Sequence, residues 1–383
     1  MRIVNKDECC GCTACYAVCP VGAISMSADQ KGFLYPDVDM EKCIGCKLCE
    51  DVCDFRAFIP AESKPEAYAV RHRNAEEVAT SRSGAFFMAL CDFVLSRNGT
   101  VFGCEMVDAY TVIHKSECTK LGVNRFKGSK YVQSDLQDTF AECLALLMQE
   151  KWVLFSGTGC QVHGLLSYLK AKKADKSRLI TCDIVCHGTP SPQLWRDYIT
   201  AREERSREKI ATADFRDKAK FGWFAHKETY CMASGKQLHA QQWTNAFYSH
   251  VLFRESCYNC KYTTPHRYSD FTIADFWGIE NNVPELDDDK GVSLVLIHSS
   301  KGQRVFSQMS EFLIFHKTEL DNSLQPQLQH PVTKGNNYDT FWELYEHDRK
   351  KAVSKLFFPP FIKKLSVKVI RKLHNIWNGI RKS

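Results

Sequence analysis

Two runs of four cysteines with the same spacing, Cys9-x2-Cys12-x2-Cys15-x3-Cys19 and Cys43-x2-Cys46-x2-Cys49-x3-Cys53, stand at the amino-terminal end of the chain. No other feature constrains the fold as tightly. Three thiolates two residues apart on one tight loop can cap three irons of a cubane, and the fourth iron then needs a cysteine from elsewhere. Zinc is the simpler occupant of a cysteine cluster, but zinc knuckles do not call for a third and fourth cysteine at these offsets. The chain has 19 cysteines in 383 residues, and Met1 to Glu8 is polar and charged rather than an apolar leader. Both features favour a cytoplasmic setting in which thiols stay reduced and serve as ligands.

Residues 1–60 resemble a bacterial-type two-cluster ferredoxin, with Pro20 closing the first run as in that family. The resemblance implies that the two runs exchange their last cysteines. Cys9, Cys12, Cys15 and Cys53 are then expected to hold one [4Fe-4S] cluster, and Cys43, Cys46, Cys49 and Cys19 the other. Asp54 stands where the second run would end in proline, which leaves the ligands intact and bears on potential or solvent access. Cys10 is an additional thiol, expected to be a bystander. A short polar segment, 61–66, with prolines at 60 and 65, reads as a linker.

From Ala67 the pattern becomes α/β. Residues 152–187 read as strand, glycine turn, helix and strand: Trp152–Phe155, then Gly157 and Gly159, a helix over 161–170, and a second strand over 179–185. The strands of such a unit are parallel and open on one sheet edge, where open α/β folds place ligands. Cys160 and Cys186 should therefore be neighbours. Either they are two buried thiols among many, or with Cys257 and Cys260 they complete a four-cysteine site for an iron–sulfur cluster or zinc. Elsewhere the periodicity predicts helices over 85–95, 136–149, 197–210, 241–255 and 303–312, and strands over 68–71, 101–104, 270–278 and 292–298. The face of Trp243, Phe247 and Val251 reads as core rather than as a cofactor platform. Asp275 is expected near the four cysteines, and the Asp287–Asp289 run reads as a solvated loop. His187 and His226 are candidate proton donors to a redox cofactor, but neither is assigned a catalytic role.

Several longer motifs occur in order: Ser81-Arg-Ser-Gly84, Gly128-Ser-Lys-Tyr-Val-Gln-Ser134, Gly157-Thr-Gly-Cys-Gln161, Asp183-Ile-Val-Cys-His-Gly-Thr-Pro-Ser191, Cys257-x2-Cys260 and Ala274-Asp-Phe-Trp-Gly278. Together they resemble the coenzyme F420 hydrogenase/dehydrogenase beta-subunit family over residues 67–330. That resemblance implies an FAD-containing iron–sulfur subunit, with a third [4Fe-4S] cluster on Cys160, Cys186, Cys257 and Cys260. It also implies a flavin among Ser83, Gly84, Ser129, Lys130, Tyr131, Ser134, Gly157 and Thr158. From the residues alone, an N-cap accounts for Ser83 as well as a phosphate site does. Where the family has Ser-Gly-Gly, this chain has Ser83-Gly84-Ala85.

The net charge of +6 is unevenly placed, since residues 355–383 hold eight Lys or Arg and no acid while the other 354 carry 43 basic and 45 acidic side chains. The body offers no broad basic surface, so nucleic acid is not an expected partner. Apolar positions at 361, 365, 369, 373 and 376, interleaved with lysine and arginine, make the tail a basic amphipathic helix. It suits either the anionic inner face of a membrane or a protein surface. No nucleophile elbow, phosphate loop, metalloprotease helix or GxGxxG after a first strand is present.

The expected architecture is thus an α+β ferredoxin-like domain (1–60), a linker (61–66), an α/β flavin and iron–sulfur domain with a mixed sheet (67–330), and a carboxy-terminal extension (331–383). The expected function is an oxidoreductase passing electrons between [4Fe-4S] clusters and FAD. Its partner is a redox protein or a soluble two-electron carrier such as coenzyme F420. The alternative is a non-catalytic electron-transfer subunit feeding a partner enzyme.

Overall fold

The computed structural model describes residues 5–359, apart from 54, 56 and 57. The expected tail helix beyond Pro359, and Asp54, lie outside the described residues. Near the amino terminus a hairpin of β1 (Ile24–Ala28) and β2 (Leu34–Val38) pairs antiparallel, with Ile24 opposite Val38. It is flanked by the short helices Ala14–Val18 and Leu48–Asp51. Each helix starts one residue after a left-handed residue, Thr13 or Lys47, at the same point of each cysteine run.

Next come β3 (Glu66–His72), β4 (Thr100–Met106), β5 (Val112–Glu117), β6 (Val153–Thr158) and β7 (Leu179–Ile184). They are followed by β8 (Ile210–Asp214), β9 (Glu228–Met232), β10 (Gln237–Ala240), β11 (Phe271–Asp275), β12 (Ser293–Ile297) and β13 (Leu313–Thr318). Eight of these build one sheet in the order β13-β3-β12-β11-β7-β6-β4-β5, and β8, β9 and β10 form a smaller antiparallel one. In the large sheet the central strands β11, β7, β6 and β4 are parallel and the outer ones antiparallel, so the sheet is mixed. The unit read from residues 152–187 is realised as β6, helix Gly159–Ala171 and β7, with Val153 level with Leu179. Central strands buried on both faces need continuous apolar runs, which Val153-Leu-Phe155 and Leu179-Ile180 provide.

Several helices differ from their expected extent. The one expected over 197–210 runs from Pro192 to Ser206, started by Ser191, whose Oγ accepts from Leu194 N at 3.3 Å. Left-handed Arg207 ends it, and Ile210 already belongs to β8. The one expected over 241–255 covers only Gln242–Tyr248. Trp243, Phe247 and Val251 do share one aromatic core, but Val251 reaches it from the segment after left-handed His250. The strand expected over 270–278 is only Phe271–Asp275, and the helix expected over 303–312 is Ser300–Met309. The aspartate run is exposed yet anchored: Asp288 takes a bidentate grip from Arg71 at 3.0 and 2.6 Å, and Asp289 Oδ1 accepts from Trp223 N at 2.8 Å.

The amino-terminal module shares its core with the rest of the chain. Ala14, Val18 and Val52 pack with Val162 and Leu165 of helix Gly159–Ala171, and Phe33 lies 5.8 Å from Trp342, ring centre to ring centre. Ser191 Oγ donates to Lys31 O at 2.6 Å and Ser167 Oγ to Val52 O at 2.9 Å. Among the described residues no helix is long and apolar enough to cross a membrane.

Candidate functional site

The cysteines gather in three groups. Cys19, Cys43, Cys46 and Cys49 line one cavity of about 110 Å³ at the outer end of the amino-terminal module. Val21, Ile44 and Leu48, also in its wall, are exposed to solvent. Cys9, Cys12, Cys15 and Cys53 form an inner group. Burial pushes the Cys15 thiol well up, reinforced by the charges of Cys12, Cys9 and Cys53 beside it.

Cys160, Cys186, Cys257 and Cys260 line a third, small cavity of about 40 Å³. Cys160 sits in the first turn of helix Gly159–Ala171, and Cys186 stands two residues past β7, at the same sheet edge. The segment carrying Cys257 is brought over by a bridge between Pro190 and Phe253 and by Arg254 N donating to Thr189 O at 3.2 Å. Burial pushes the thiols of Cys186 and Cys257 up, and that of Cys260 up to about 12. Cys160 goes the other way: the Cys10 thiol donates to it and, against burial and with Thr158 Oγ1 at 3.1 Å, holds it down to about 7.

Among the described residues no three His, Cys, Asp or Glu side chains converge closely enough to grip a single metal ion. Four sulfurs spread around a cavity suit a cube of irons better than one ion, because a cubane takes one thiolate per corner. Cys10 is no bystander by position. Its buried thiol lies between Cys12 of the inner group and Cys160 of the third, hydrogen-bonded to both.

A larger cavity of about 320 Å³, within the range of ligand sites, opens at the carboxyl ends of β6, β7 and β11. Ser83, Ser129, Lys130, Tyr131, Ser134, Gly157 and Thr158 all line it. Gly84 does not: it packs against the backbone of Val70 and Ser293, its N–H donating to Ser293 Oγ at 3.1 Å. Two of the lining groups are already engaged. Ser83 Oγ donates to Val292 O at 2.6 Å, and Lys130 Nζ donates to three carbonyls, those of Arg125, Phe126 and Lys127, at 3.1, 3.0 and 2.7 Å. The lysine thus braces the 125–130 loop and does not reach into the cavity as a free cation. Ala85 holds the left-handed conformation (φ 64°) that glycine would adopt there without strain, and it too faces the cavity.

Arg82, Gln161 and Trp277, which stand inside the motifs, also line it, and distant segments add His114, Arg216 and Tyr248, which no motif contains. Arg216 pairs with Asp275 at 2.5 Å, and Trp223 Nε1 donates to the other oxygen of Asp275 at 2.8 Å. Burial raises the Asp275 carboxyl, but Arg216 and Arg82 more than reverse this and keep it ionised. Asp275 therefore belongs to the larger cavity and not to the four-cysteine one. Burial holds His114 and His187 down to about 4, so both are neutral near pH 7. Phe247, expected in the core, also lines the cavity, stacked on Tyr131 at 4.3 Å. His226 lies beside Arg216, at 3.3 Å.

The two inner cavities share a wall made of Thr158 and the loop Ile184, Cys186, His187, Gly188 and Thr189. Cys186 itself thus borders both the four-cysteine cavity and the larger one.

Residues 150–323 match the carboxy-terminal region of the coenzyme F420 hydrogenase/dehydrogenase beta-subunit family, and residues 8–57 match the 4Fe-4S dicluster domain. A chain in a xenon-derivatised structure of the F420-reducing [NiFe] hydrogenase complex from Methanosarcina barkeri aligns with a TM-score of 0.45 and 13% identity. The alignment covers 78% of this chain and 94% of that one. No curated protein matches the chain significantly.

Proposed function

This chain joins a 4Fe-4S dicluster domain to the carboxy-terminal region of the coenzyme F420 hydrogenase/dehydrogenase beta-subunit family, and from that premise we propose that it is a flavin-dependent oxidoreductase. In this reading electrons run between the two ferredoxin-type clusters, a third cluster on Cys160, Cys186, Cys257 and Cys260, and FAD in the larger cavity. A soluble two-electron carrier such as coenzyme F420 would be reduced or oxidised there. Iron–sulfur clusters exchange single electrons, whereas a flavin exchanges one or two, which is what allows the two kinds of carrier to be joined.

The observation that carries the reading is the shared wall: the loop bearing Cys186 borders both the four-cysteine cavity and the larger one. Arg82 and Arg216 give the larger cavity a cationic side fit for phosphates, and Tyr131, Phe247 and Tyr248 give it an aromatic one fit for a ring system. Neutral His187, on the shared wall, can accept or donate a proton at a reducible ring. A second reading, an electron-transfer subunit serving a partner enzyme, is favoured by the exposed apolar rim at the outer cysteine group, where Ile44 is 64% and Leu48 38% exposed.

Anaerobically purified protein should contain about twelve irons and one flavin per chain. Cys257→Ala should remove about four of those irons and leave the two ferredoxin-type signals. Full iron in that variant would refute the third site, and a flavin-free protein would refute the larger cavity's assignment. Turnover of a deazaflavin or nicotinamide with an artificial dye separates the enzyme from the electron-transfer subunit.

A further inference from the structure

Arg254 is completely buried, three residues before Cys257, and its guanidinium reaches the backbone of the amino-terminal module. Nε donates to Cys9 O at 2.6 Å, Nη1 to Gln133 Oε1 at 3.1 Å and Nη2 to Leu34 O at 2.8 Å, with Cys9 Sγ at 3.6 Å from Nη2. The guanidinium lies over the Tyr35 ring, 4.0 Å from its centre. The fit is close enough that a Cβ on Gly11, which is left-handed at φ 68°, would meet Nη1 at 2.8 Å.

What this arginine lacks is a carboxylate. Arg71, Arg216 and Arg267 are also buried, and each grips an aspartate, namely Asp288, Asp275 and Asp183; buried Arg202 grips none but has the Glu228 carboxylate near enough to act on it electrostatically. Among the described residues Arg254 forms no ion pair within salt-bridge distance. The ionisable groups that face it are Cys9 and Cys12 of the inner group, Tyr35, Cys10, and Cys257 and Cys160 of the third group. A buried guanidinium with neutral partners alone costs several kcal/mol, so a site that keeps one must supply negative charge. Four thiolates around a cubane do so: the oxidised cluster with its ligands carries two negative charges, and the reduced one three.

We propose that Arg254 is the built-in counter-cation of the inner ferredoxin-type cluster on Cys9, Cys12, Cys15 and Cys53, and that it raises the reduction potential of this cluster relative to the outer one. The inference rests on the cluster assignments proposed above. One electron arriving from the outer cluster adds one negative charge beside a fixed positive one, so the reduced state gains more than the oxidised state. Because Arg254 immediately precedes the short turn Glu255–Asn259 that carries Cys257, the same side chain also fixes the inner group against the third. Arg254 is thus a positioning residue, and permanent charge, not titration, is its means.

The test uses the full chain, purified anaerobically as wild type, Arg254→Gln and Arg254→Lys, with each cluster's midpoint followed by electron paramagnetic resonance during a dithionite titration. In Arg254→Gln one of the signals should move to lower potential, weakening electron transfer from the outer to the inner cluster about tenfold to a hundredfold. The outer cluster's signal should stay, that of the third should move less than the inner one's, and Arg254→Lys, which keeps the charge and loses the planar fork, should restore most of the shift. Unmoved potentials in Arg254→Gln at full iron content would overturn the proposal. If Arg254→Gln loses the inner cluster, Arg254→Lys decides: retention supports the role of charge, and equal loss overturns it in favour of packing alone. Absence of two ferredoxin-type signals in the wild type would instead overturn the cluster assignments themselves.

Discussion

His298 shows how one side chain can be fixed by its neighbours. Thr272 Oγ1 spends its proton on Asp183 Oδ1 at 2.6 Å, so at 2.8 Å it accepts from His298 Nε2, and the imidazole carries its proton on that nitrogen. Nδ1 is buried without a partner among the described residues, and burial holds the group down to about 4. The folded state therefore prefers the neutral ring, while the unfolded chain titrates near 6.5. Stability from this site is complete above about pH 6.5 and is lost as pH falls toward 4. At pH 5 the loss should be about 1–2 kcal/mol. Urea midpoints at pH 7.5 and 5.0 check it: His298→Gln should show a smaller drop than wild type, and an equal drop would disprove the assignment. This residue carried no sequence signal, because nothing in the chain near 298 announces Thr272 or Asp183.

At the scale of an element, helix Gly159–Ala171 is where the two modules meet. A Cβ at Gly164 would stand 2.7 Å from Cys12 Cβ and 2.9 Å from its sulfur. In an exposed helix Gly→Ala gains about 1 kcal/mol. Here the steric term should win, since under the proposed function Cys12 is tied to a cluster and cannot step aside, and overpacking costs about 1–3 kcal/mol. Gly164→Ala is expected to destabilise the protein, and Gly164→Leu to reduce its iron by about four per chain. Iron content and chemical unfolding of both variants measure this, and a stabilised Gly164→Ala would show that the interface yields. The helix itself was legible from its spacing of apolar residues, but the close approach at Gly164 was not, because it involves a residue 152 positions away. The overextended helix at 241–255 failed for a related reason. Trp243, Phe247 and Val251 have helical spacing, yet the last is buried in the same core from an irregular segment.

Across the whole molecule, the amino-terminal module is built into the larger one. Phe33 and Tyr35 share an aromatic core with Trp195, Trp243 and Trp342, and Tyr16 OH donates to Asp138 at 2.6 Å. A shared core couples the modules energetically, so loss of cluster absorbance and of tryptophan fluorescence should coincide in a denaturant titration under anaerobic conditions. Two separated transitions would show that the modules fold independently. The same coupling places the inner cysteine group, Cys10 and the third group in sequence toward the larger cavity, with the outer group at the exposed end.

By itself the sequence determined the identity of the cysteine runs and the parallel unit from β6 to β7. Both are local: thiol spacing follows from the geometry of one loop, and strand pairing from apolar runs joined by a single crossover helix. Only the tertiary structure decided that Cys10 lies between two cysteine groups, that Asp275 serves the larger cavity, that Gly84 stays out of it, and that Arg254 is buried without a carboxylate. Those facts depend on segments up to 245 residues apart being brought into van der Waals and electrostatic range. The forces that act there have no signature in the spacing of neighbours along the chain.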